Sequence, residues 1–176
     1  MRWTQIQNEP CSIARTLAII GDRWTLLIIR NAFLGISRFD EFQHQLDVTR
    51  HLLADRLDHL VENGIFKKIA YQQKPERFEY KLTPKGVELY PILMTLVAWG
   101  DKWAGLPEGP PLEYFDRESG KRISPLLIDK TSGKPLDPRK IKPEMGPGLE
   151  PFLDNPEFNR RWGTLLGKEN KKKTEE

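Results

Sequence analysis

Residues 49–82 read TRHLLADRLDHLVENGIFKKIAYQQKPERFEYKL. In the first part of this stretch, Leu53, Leu57 and Leu60 recur at the three- and four-residue intervals that separate neighbours on one helix face. Thr49 precedes the first turn and is a preferred N-cap residue. The pattern therefore predicts a helix, the fourth of the chain, that is held in place by a buried leucine face.

The apolar period changes from helical to two directly after Gly64, a residue that favours the end of a helix. Aromatic and branched residues then concentrate in Ile65–Tyr71 and Phe78–Leu82, which predicts two strands. The polar segment Gln72–Arg77 joins them, and we expect a loop longer than a two-residue turn. The stretch thus predicts a helix followed by a β-hairpin.

Three more helices are predicted upstream from their apolar spacing and from residues that begin and end helices. Pro10 and Ser12 open the first, which Gly21 ends; the second is Trp24–Phe33, and the third follows Ser37 and runs to about Leu46. The buried side of the second helix is predicted to carry Trp24, Leu27, Ile28 and Leu34.

The connections around the third helix also have recognisable sequence signals. Ser37 is followed three residues later by Asp40, which predicts a capping box at the start of the helix. Asp47 tolerates the turn conformation needed between the third and fourth helices.

A fifth helix is predicted to begin at Thr83-Pro84 and to continue without a break to about Ala104. Leu93, Leu96, Trp99 and Trp103 make it strongly apolar. A core of this size cannot cover all of these side chains, which indicates that they pack against a second copy of the chain.

The composition changes after Gly105, where prolines become frequent and helical patterns end. We expect a first domain at 1–105 and an irregular extension with short strands at 106–176. Within the extension, Asn155–Leu166 is compatible with a short helix, and Lys168–Glu176 is a charged end expected to be disordered.

Positive charge is concentrated in the helix and hairpin of the opening stretch. The whole chain has 28 Lys and Arg against 25 Asp and Glu, a net charge of +3. The segment Thr49–Lys85 alone has eight cations and five anions, so it accounts for the same excess. This excess can indicate a surface for an anionic partner. The alternative is that the charges only solvate an exposed helix face and a hairpin with a structural role.

The order of helices two, three and four followed by a hairpin is typical of a winged helix-turn-helix. In such a domain the exposed face of the last helix enters the major groove, which is about 12 Å wide, and the hairpin reaches the backbone. This predicts double-stranded DNA as a partner. The candidate DNA-binding residues are Arg38, Thr49, Arg50, His51, Asp55, Arg56, Lys67, Lys74 and Arg77.

Several spaced stretches resemble the HxlR family of winged-helix regulators. They include Cys11, Gly21–Leu27, Arg38–Phe42, Leu82–Gly86 and Trp99–Trp103. The resemblance implies a homodimer, a fourth helix that reads DNA, and a wing that grips the phosphate backbone. We expect the first and fifth helices to form the dimer contact.

The extension contains a repeated motif. Asp116–Lys121 and Asp129–Lys134 both read D-x-x-S-G-K. Some HxlR-type proteins have an extension with zinc-ribbon knuckles, and this segment resembles one in which Asp and Ser replaced the cysteines. Because Ser is a poor zinc ligand, no metal or other cofactor is expected. The alternative is that two unrelated turns happen to match.

Cys11 is the only cysteine, which fits a reducing compartment and a cytoplasmic location. It precedes a helix, whose dipole favours an anion there, so it is a candidate redox or ligand sensor. The alternative is a small buried residue at the dimer contact. In the family, an equivalent cysteine senses oxidants in some members.

The sequence thus predicts a homodimeric transcription regulator that responds to a small molecule or a redox signal. Two alternatives stay open at this point. One is a winged-helix protein-interaction module without sequence-specific DNA binding, and the other is an enzyme that uses Cys11. No nucleophile–base pair, phosphate-binding loop or membrane span is visible, which disfavours an enzyme and a membrane partner.

Overall fold

A computed structural model describes Ile6–Gly163, and the structural statements below concern these residues. They divide into two compact units. The first unit is Thr16–Leu127; the second unit comprises the described residues before Thr16 and those from Ile128 onward. The predicted domain boundary at residue 105 stays a prediction.

The first unit contains most of the regular structure, and the described chain is mainly helical with one antiparallel hairpin, as predicted. No helix within Ile6–Gly163 is long and apolar enough to cross a membrane. The elements are α1 (Ser12–Ile20), α2 (Arg23–Phe33), α3 (Phe39–Leu46), α4 (Arg50–Glu62), β1 (Phe66–Gln73), β2 (Glu76–Leu82), α5 (Pro84–Val87), α6 (Tyr90–Trp103) and α7 (Pro156–Trp162).

The leucine face of α4 is the centre of the core. Leu53, Leu57 and Leu60 have no exposed surface. Burying a side chain of this size stabilises a fold by about 1.5–3 kcal/mol. The buried residues around them come from α2, α3 and β1, and include Ile28, Ile29, Phe42 and Phe66. This packing fixes the orientation of α4 and leaves its other face to solvent.

Helix starts and the turn before α4 follow the sequence signals closely. Thr49 caps α4 by accepting a hydrogen bond from the Leu52 N–H at 3.4 Å. Asp47 has φ 50° and ψ 48°, the left-handed conformation that Asp tolerates. Asp22 caps α2, because its carboxylate accepts from the Trp24 N–H at 2.9 Å.

The buried face of α2 differs from the prediction. Thr25, Ile28 and Ile29 are buried, whereas Trp24 is only half-buried and Leu34 is 53 % exposed. Leu34 follows the last residue of the helix, where the chain is already turning away. The prediction therefore extended the buried face of the helix one residue beyond its end.

The predicted capping box at Ser37 and Asp40 is wrong by one residue. Glu41 Oε2 accepts from the backbone N–H of Arg38 at 3.1 Å, so Arg38 is the N-cap of α3. The Ser37 N–H also donates to Glu41 Oε2, at 3.4 Å, and the Ser37 carbonyl oxygen accepts from the Tyr80 N–H at 2.7 Å. The segment before α3 thus joins the edge of the hairpin.

The hairpin is longer and its connection shorter than predicted. The strands continue to Gln73 and resume at Glu76, so two residues connect them. The prediction of a longer loop is wrong, because polar pairs at the exposed end extend the ladder. The register shifts between Ala70 and Gln72, which makes Tyr71 the extra residue of a β-bulge.

The predicted fifth helix is two helices, α5 and α6, rather than one continuous helix. Pro91 explains the break, because it has no backbone N–H to donate to the Val87 carbonyl one turn earlier. At the junction the Leu89 N–H instead bonds the Gly86 carbonyl in a tighter turn, at 3.1 Å.

The extension has little regular structure, as its composition predicts. Isolated bridges and 3₁₀ turns precede α7, which Asn155 caps by accepting from the Glu157 N–H at 2.9 Å. The part of the predicted short helix after residue 163 and the charged end Lys168–Glu176 lie outside the described residues. A zinc ribbon is not confirmed.

The two D-x-x-S-G-K motifs form the same turn. In one, the Asp116 carboxylate accepts from the Ser119 N–H and hydroxyl, both at 2.7 Å. In the other, the Asp129 carboxylate accepts from the Ser132 N–H at 3.0 Å and from its hydroxyl. A glycine with φ near the left-handed region follows each serine. Hydrogen bonds to one carboxylate therefore close each turn.

Candidate nucleic-acid interface

The exposed face of α4 carries four of the residues predicted to contact DNA. Thr49, Arg50, His51 and Asp55 are all exposed, on or directly before the first two turns of the helix. Because the leucine face anchors the opposite side, these side chains project from a rigid element. A rigid helix whose first turns are polar is the shape that major-groove readers present.

The side chain of Arg50 contacts three residues of α3. Its Nη1 donates to Asp40 Oδ1 and to Gln43 Oε1, each at 3.3 Å. Its guanidinium also lies 4.8 Å from the centre of the Phe39 ring. Arg50 and Asp40 are both largely exposed, so this ion pair contributes little to stability, about 0–1 kcal/mol. A phosphate or a base edge can therefore replace Asp40 at low cost.

Arg38 is placed against the wing rather than against α4. Its backbone forms an antiparallel bridge with Glu79 of β2. Its guanidinium lies 4.9 Å from the centre of the Tyr71 ring. The bulge at Tyr71 interrupts the regular alternation of β1, and such bulges re-aim the side chain that they carry.

A groove of about 430 Å³ separates the start of α4 from the wing. Phe39, Asp40 and Arg50 line one side, and Tyr71 and Arg77 line the other. The groove therefore brings together predicted DNA contacts from both structural parts, α4 and the hairpin.

The wing cations fall into two groups. Lys67, Lys74 and Arg77 are exposed, and no ion pair involves them in the described part of the chain. Lys68 lies 3.6 Å from the Asp58 carboxylate and 4.6 Å from the Phe78 ring centre, and so it ties the wing to α4. The first group is the one available to phosphates.

Lys67 on β1 lies directly opposite Lys81 on β2. Like charges at opposed positions repel, and Lys81 is partly neutralised by Glu79 at 2.8 Å. An anion bound between the two ammonium groups would relieve this repulsion, which makes the wing a favourable place for a phosphate.

Arg56 has a structural environment that the other candidates lack. Its side chain is 28 % exposed, and its Nε donates to Asp22 Oδ1 at 3.0 Å. Its Nη1 donates to Asp55 Oδ2 at 2.6 Å. Since the same Asp22 oxygen caps α2, Arg56 joins α4 to the start of α2. Its contact with DNA stays a prediction.

Phe39, Gln43 and Tyr71 belong to this surface, although none of them was among the residues predicted to contact DNA. They support the arginines rather than adding charge, by stacking or by hydrogen bonding. Tyr71 could have been identified from the sequence, since it is a large aromatic residue at the end of a predicted apolar strand. The bulge that aims it was not visible in the alternation pattern.

Cys11 lies in the second unit, directly before α1. It is half-buried with a free thiol, and its carbonyl accepts from the Arg15 N–H at 3.0 Å. Within Ile6–Gly163, no group of three or more His, Cys, Asp or Glu is placed to hold a metal ion.

Comparison with known proteins agrees with this geometry. Residues 19–108 match the model of the HxlR-like helix-turn-helix family. The chain is 42 % identical over 120 residues to Rv3095, an uncharacterised HTH-type transcriptional regulator of Mycobacterium tuberculosis. That alignment covers 68 % of this chain and 76 % of the relative.

Two solved structures extend the similarity. PA1607, a candidate transcription factor, is 34 % identical with a TM-score of 0.72, covering 80 % of this chain and 98 % of its own. PA1374 of Pseudomonas aeruginosa, also a candidate transcription factor, is 32 % identical with a TM-score of 0.56. It is matched over 86 % of this chain and 99 % of its own.

The family match covers α2 to α6, the wing, and the groove between α4 and the wing, and the relatives are regulators rather than enzymes. The chain belongs to the HxlR-like helix-turn-helix family and is a helix-turn-helix transcriptional regulator.

Proposed function

We propose that this regulator binds DNA sequence-specifically as a homodimer, with α4 in the major groove and the β1–β2 wing on the phosphate backbone. The observation that carries the proposal is the groove between α4 and the wing, flanked by the exposed cations Arg50 and Arg77. One surface thereby offers both a base-reading helix and phosphate contacts.

The predicted contacts divide by role. Arg50 and His51, in the first turn of α4, would contact base edges, where an arginine pair contributes about 1–3 kcal/mol of discrimination. The exposed wing cations Lys67, Lys74 and Arg77 would contact phosphates, which position a protein without reading sequence.

The exposed apolar surface of α6 supports the homodimer. Leu96, Trp99 and Trp103 are 49 %, 63 % and 66 % exposed. Contiguous apolar patches of this kind mark association surfaces. Ile13 and Leu17, one turn apart on α1, are exposed as well. A second copy that covers these helices would remove them from water and would set the distance between the two α4 helices.

A gel-shift assay with salt titration tests the proposal. DNA fragments selected from a genomic pool should bind, and the affinity should fall linearly on logarithmic axes as salt increases. Arg50→Ala should weaken this binding. Arg139→Ala is the matched control, because Arg139 is also an exposed arginine beside an aspartate, in the second unit.

The protein-interaction alternative predicts the opposite result. A winged-helix module that does not read DNA would select no fragment over random sequence. Its residual binding would respond equally to Arg50→Ala and Arg139→Ala.

We also propose that a small molecule or a redox signal alters DNA binding, with Cys11 as the candidate redox sensor. Its half-buried thiol, directly before α1, is compatible with access by a small reagent. Thiol titration of the native protein tests this role. Cys11→Ser should bind DNA like the parent and should ignore oxidants. A thiol that reacts only after denaturation would contradict the role.

A further inference from the structure

A second groove in the first unit lies away from the candidate DNA surface. It has a volume of about 660 Å³, within the range of small-molecule sites. α2 and α6 form two walls, and the segment 113–117 forms the third. The apolar residues that line it include Leu26, Leu27, Phe33, Leu93, Leu96 and Val97.

Three arginines stand around this apolar groove without an acidic partner. No ion pair involves Arg23, Arg30 or Arg117 in the described part of the chain. The acid in the lining is Glu113, and its carboxylate is already paired with Arg122 at 3.2 Å. The groove therefore combines an apolar lining with uncompensated positive charge.

Arg30 is held in a fixed orientation. Its Nε and Nη2 both donate to the Asn31 side-chain oxygen, at 3.1 and 2.8 Å. Asn31 is buried, so this contact has a rigid base. The remaining N–H donors of the guanidinium are available, and a preoriented guanidinium binds a carboxylate in a defined geometry.

Two tyrosines add neutral hydrogen-bond donors. Tyr90 packs on Phe33 with ring centres 4.9 Å apart, and both line the groove. Burial raises the pKa of Tyr114 above its ordinary value, with Tyr90 and Asp101 adding to the shift and Arg30 opposing it. Tyr114 is therefore protonated at neutral pH and can donate to an anion.

We infer that this groove is a binding site for a small amphipathic anion, with one carboxylate on an aromatic or aliphatic body. The apolar body would contact the leucines and Phe33, and the carboxylate would pair with Arg30. A second copy is a weaker candidate for this groove, because it would bury the arginines and would have to supply its own carboxylate.

Binding to the groove is independent of DNA, whereas its effect on DNA rests on the proposed function. α6 provides both a wall of the groove and the exposed apolar surface assigned to the homodimer. A ligand that shifts α6 would change the spacing of the two α4 helices, and hence the affinity for DNA.

Calorimetric titration of the full chain without DNA tests the site. The probes are naphthalene-2-carboxylate, its neutral match naphthalene-2-methanol, and its cationic match naphthalene-2-methylamine. The carboxylate should bind about tenfold or more tightly than the alcohol, because a charge-assisted pair is lost with the neutral probe. The amine should bind more weakly than the alcohol.

Two variants locate the binding. Arg30→Met removes the guanidinium and keeps an unbranched side chain, so it should weaken the carboxylate about tenfold or more and leave the alcohol unchanged. Arg160→Met is the matched control, since Arg160 is an exposed arginine of α7 in the second unit. Circular dichroism checks that both variants are folded.

Several outcomes would overturn the inference. Equal affinities for the carboxylate and the alcohol would show that the groove does not prefer an anion. An unchanged carboxylate affinity in Arg30→Met would show that the ligand does not bind at Arg30. If no probe binds while Arg30→Met changes the oligomeric state in sedimentation, the groove is a contact between copies. If no probe binds and the oligomeric state is unchanged, the groove has no assigned ligand of this class. Each of these results leaves the DNA-binding proposal untouched.

Discussion

α4 and α6 are similar in length, 13 and 14 residues, and both carry several large apolar side chains. Leu53, Leu57 and Leu60 of α4 have no exposed surface, whereas Met94 is the buried residue of α6. The fold within one chain completes the apolar packing of α4 and leaves that of α6 incomplete. A helix whose apolar side is covered by its own chain can present a rigid polar face. α6 keeps an exposed apolar face, which the proposed second copy would cover.

The largest expected effect is on the free energy of unfolding and comes from a substitution in α4. Leu57→Ala should lower the free energy of unfolding by about 2–5 kcal/mol, because it leaves a cavity in a fully packed core. Denaturant unfolding at two protein concentrations measures it. The loss should be the same at both concentrations, and a loss below about 1 kcal/mol would mean that the site is not packed as described.

Trp99→Ala should weaken the association of two chains rather than the folding of one chain. Trp99 is mostly exposed in one chain, so the unfolding of a dilute sample should change little. At higher concentration the parent should be stabilised by dimer formation and the variant should not, since association stabilises by mass action. Sedimentation should show the variant as a monomer at a concentration where the parent is a dimer. An unchanged dimer would place the interface elsewhere.

Arg50→Ala should weaken binding to a selected DNA site by about 1–3 kcal/mol and should broaden the sequences accepted at one base pair. The ion pair with Asp40 is exposed and is not needed for folding, so stability should stay near that of the parent. Competition binding with single-base variants of the site measures both effects. Equal losses on every sequence would make Arg50 a phosphate contact.

Lys74→Ala should have a smaller and uniform effect. Lys74 is in the two-residue connection of the wing and is exposed, so its expected partner is a phosphate. Removing it should lower the slope of log affinity against log salt by about one unit on every sequence. A change confined to one sequence would contradict this role.

The smallest expected effect concerns the turn at Asp129. The Ser132 hydroxyl and the backbone N–H groups of Thr131 and Ser132 lower the pKa of this carboxyl below its ordinary value. The stabilisation is therefore present above the ordinary pKa and is lost as the pH falls through the lowered one. In an NMR pH titration the Ser132 amide should shift at that lowered pKa, and Asp129→Asn should abolish the transition. A midpoint at the ordinary value would contradict the hydrogen bonds seen.

Most of the fold could be predicted because its signals are local. The leucine period of α4, the Thr49 cap and the left-handed turn at Asp47 each depend on a few neighbouring residues. The errors arose where distant contacts or a single residue decide. Arg38 takes the N-cap position expected of Ser37, whose carbonyl bonds Tyr80 of the wing, and Pro91 divides a helix whose apolar period continues across it.

The charged residues of the candidate site could be predicted from the sequence, but the residues that pack against them could not. Arg50 and Arg77 are conspicuous in the sequence as cations on predicted elements. Their surroundings depend on packing between elements, such as the Phe39 ring under Arg50 and the bulge that carries Tyr71. The attachment of Arg56 to Asp22, 34 residues away, has no local signal.

The stoichiometry of the complex with selected DNA is the most direct measurement of the proposed function. Sedimentation of the protein with a selected duplex should give two chains on one duplex. Footprinting should show two half-sites about 34–36 Å apart, one helical turn. A single chain bound to a single half-site, with no second chain at saturating protein, would contradict the homodimer and its use of two α4 helices.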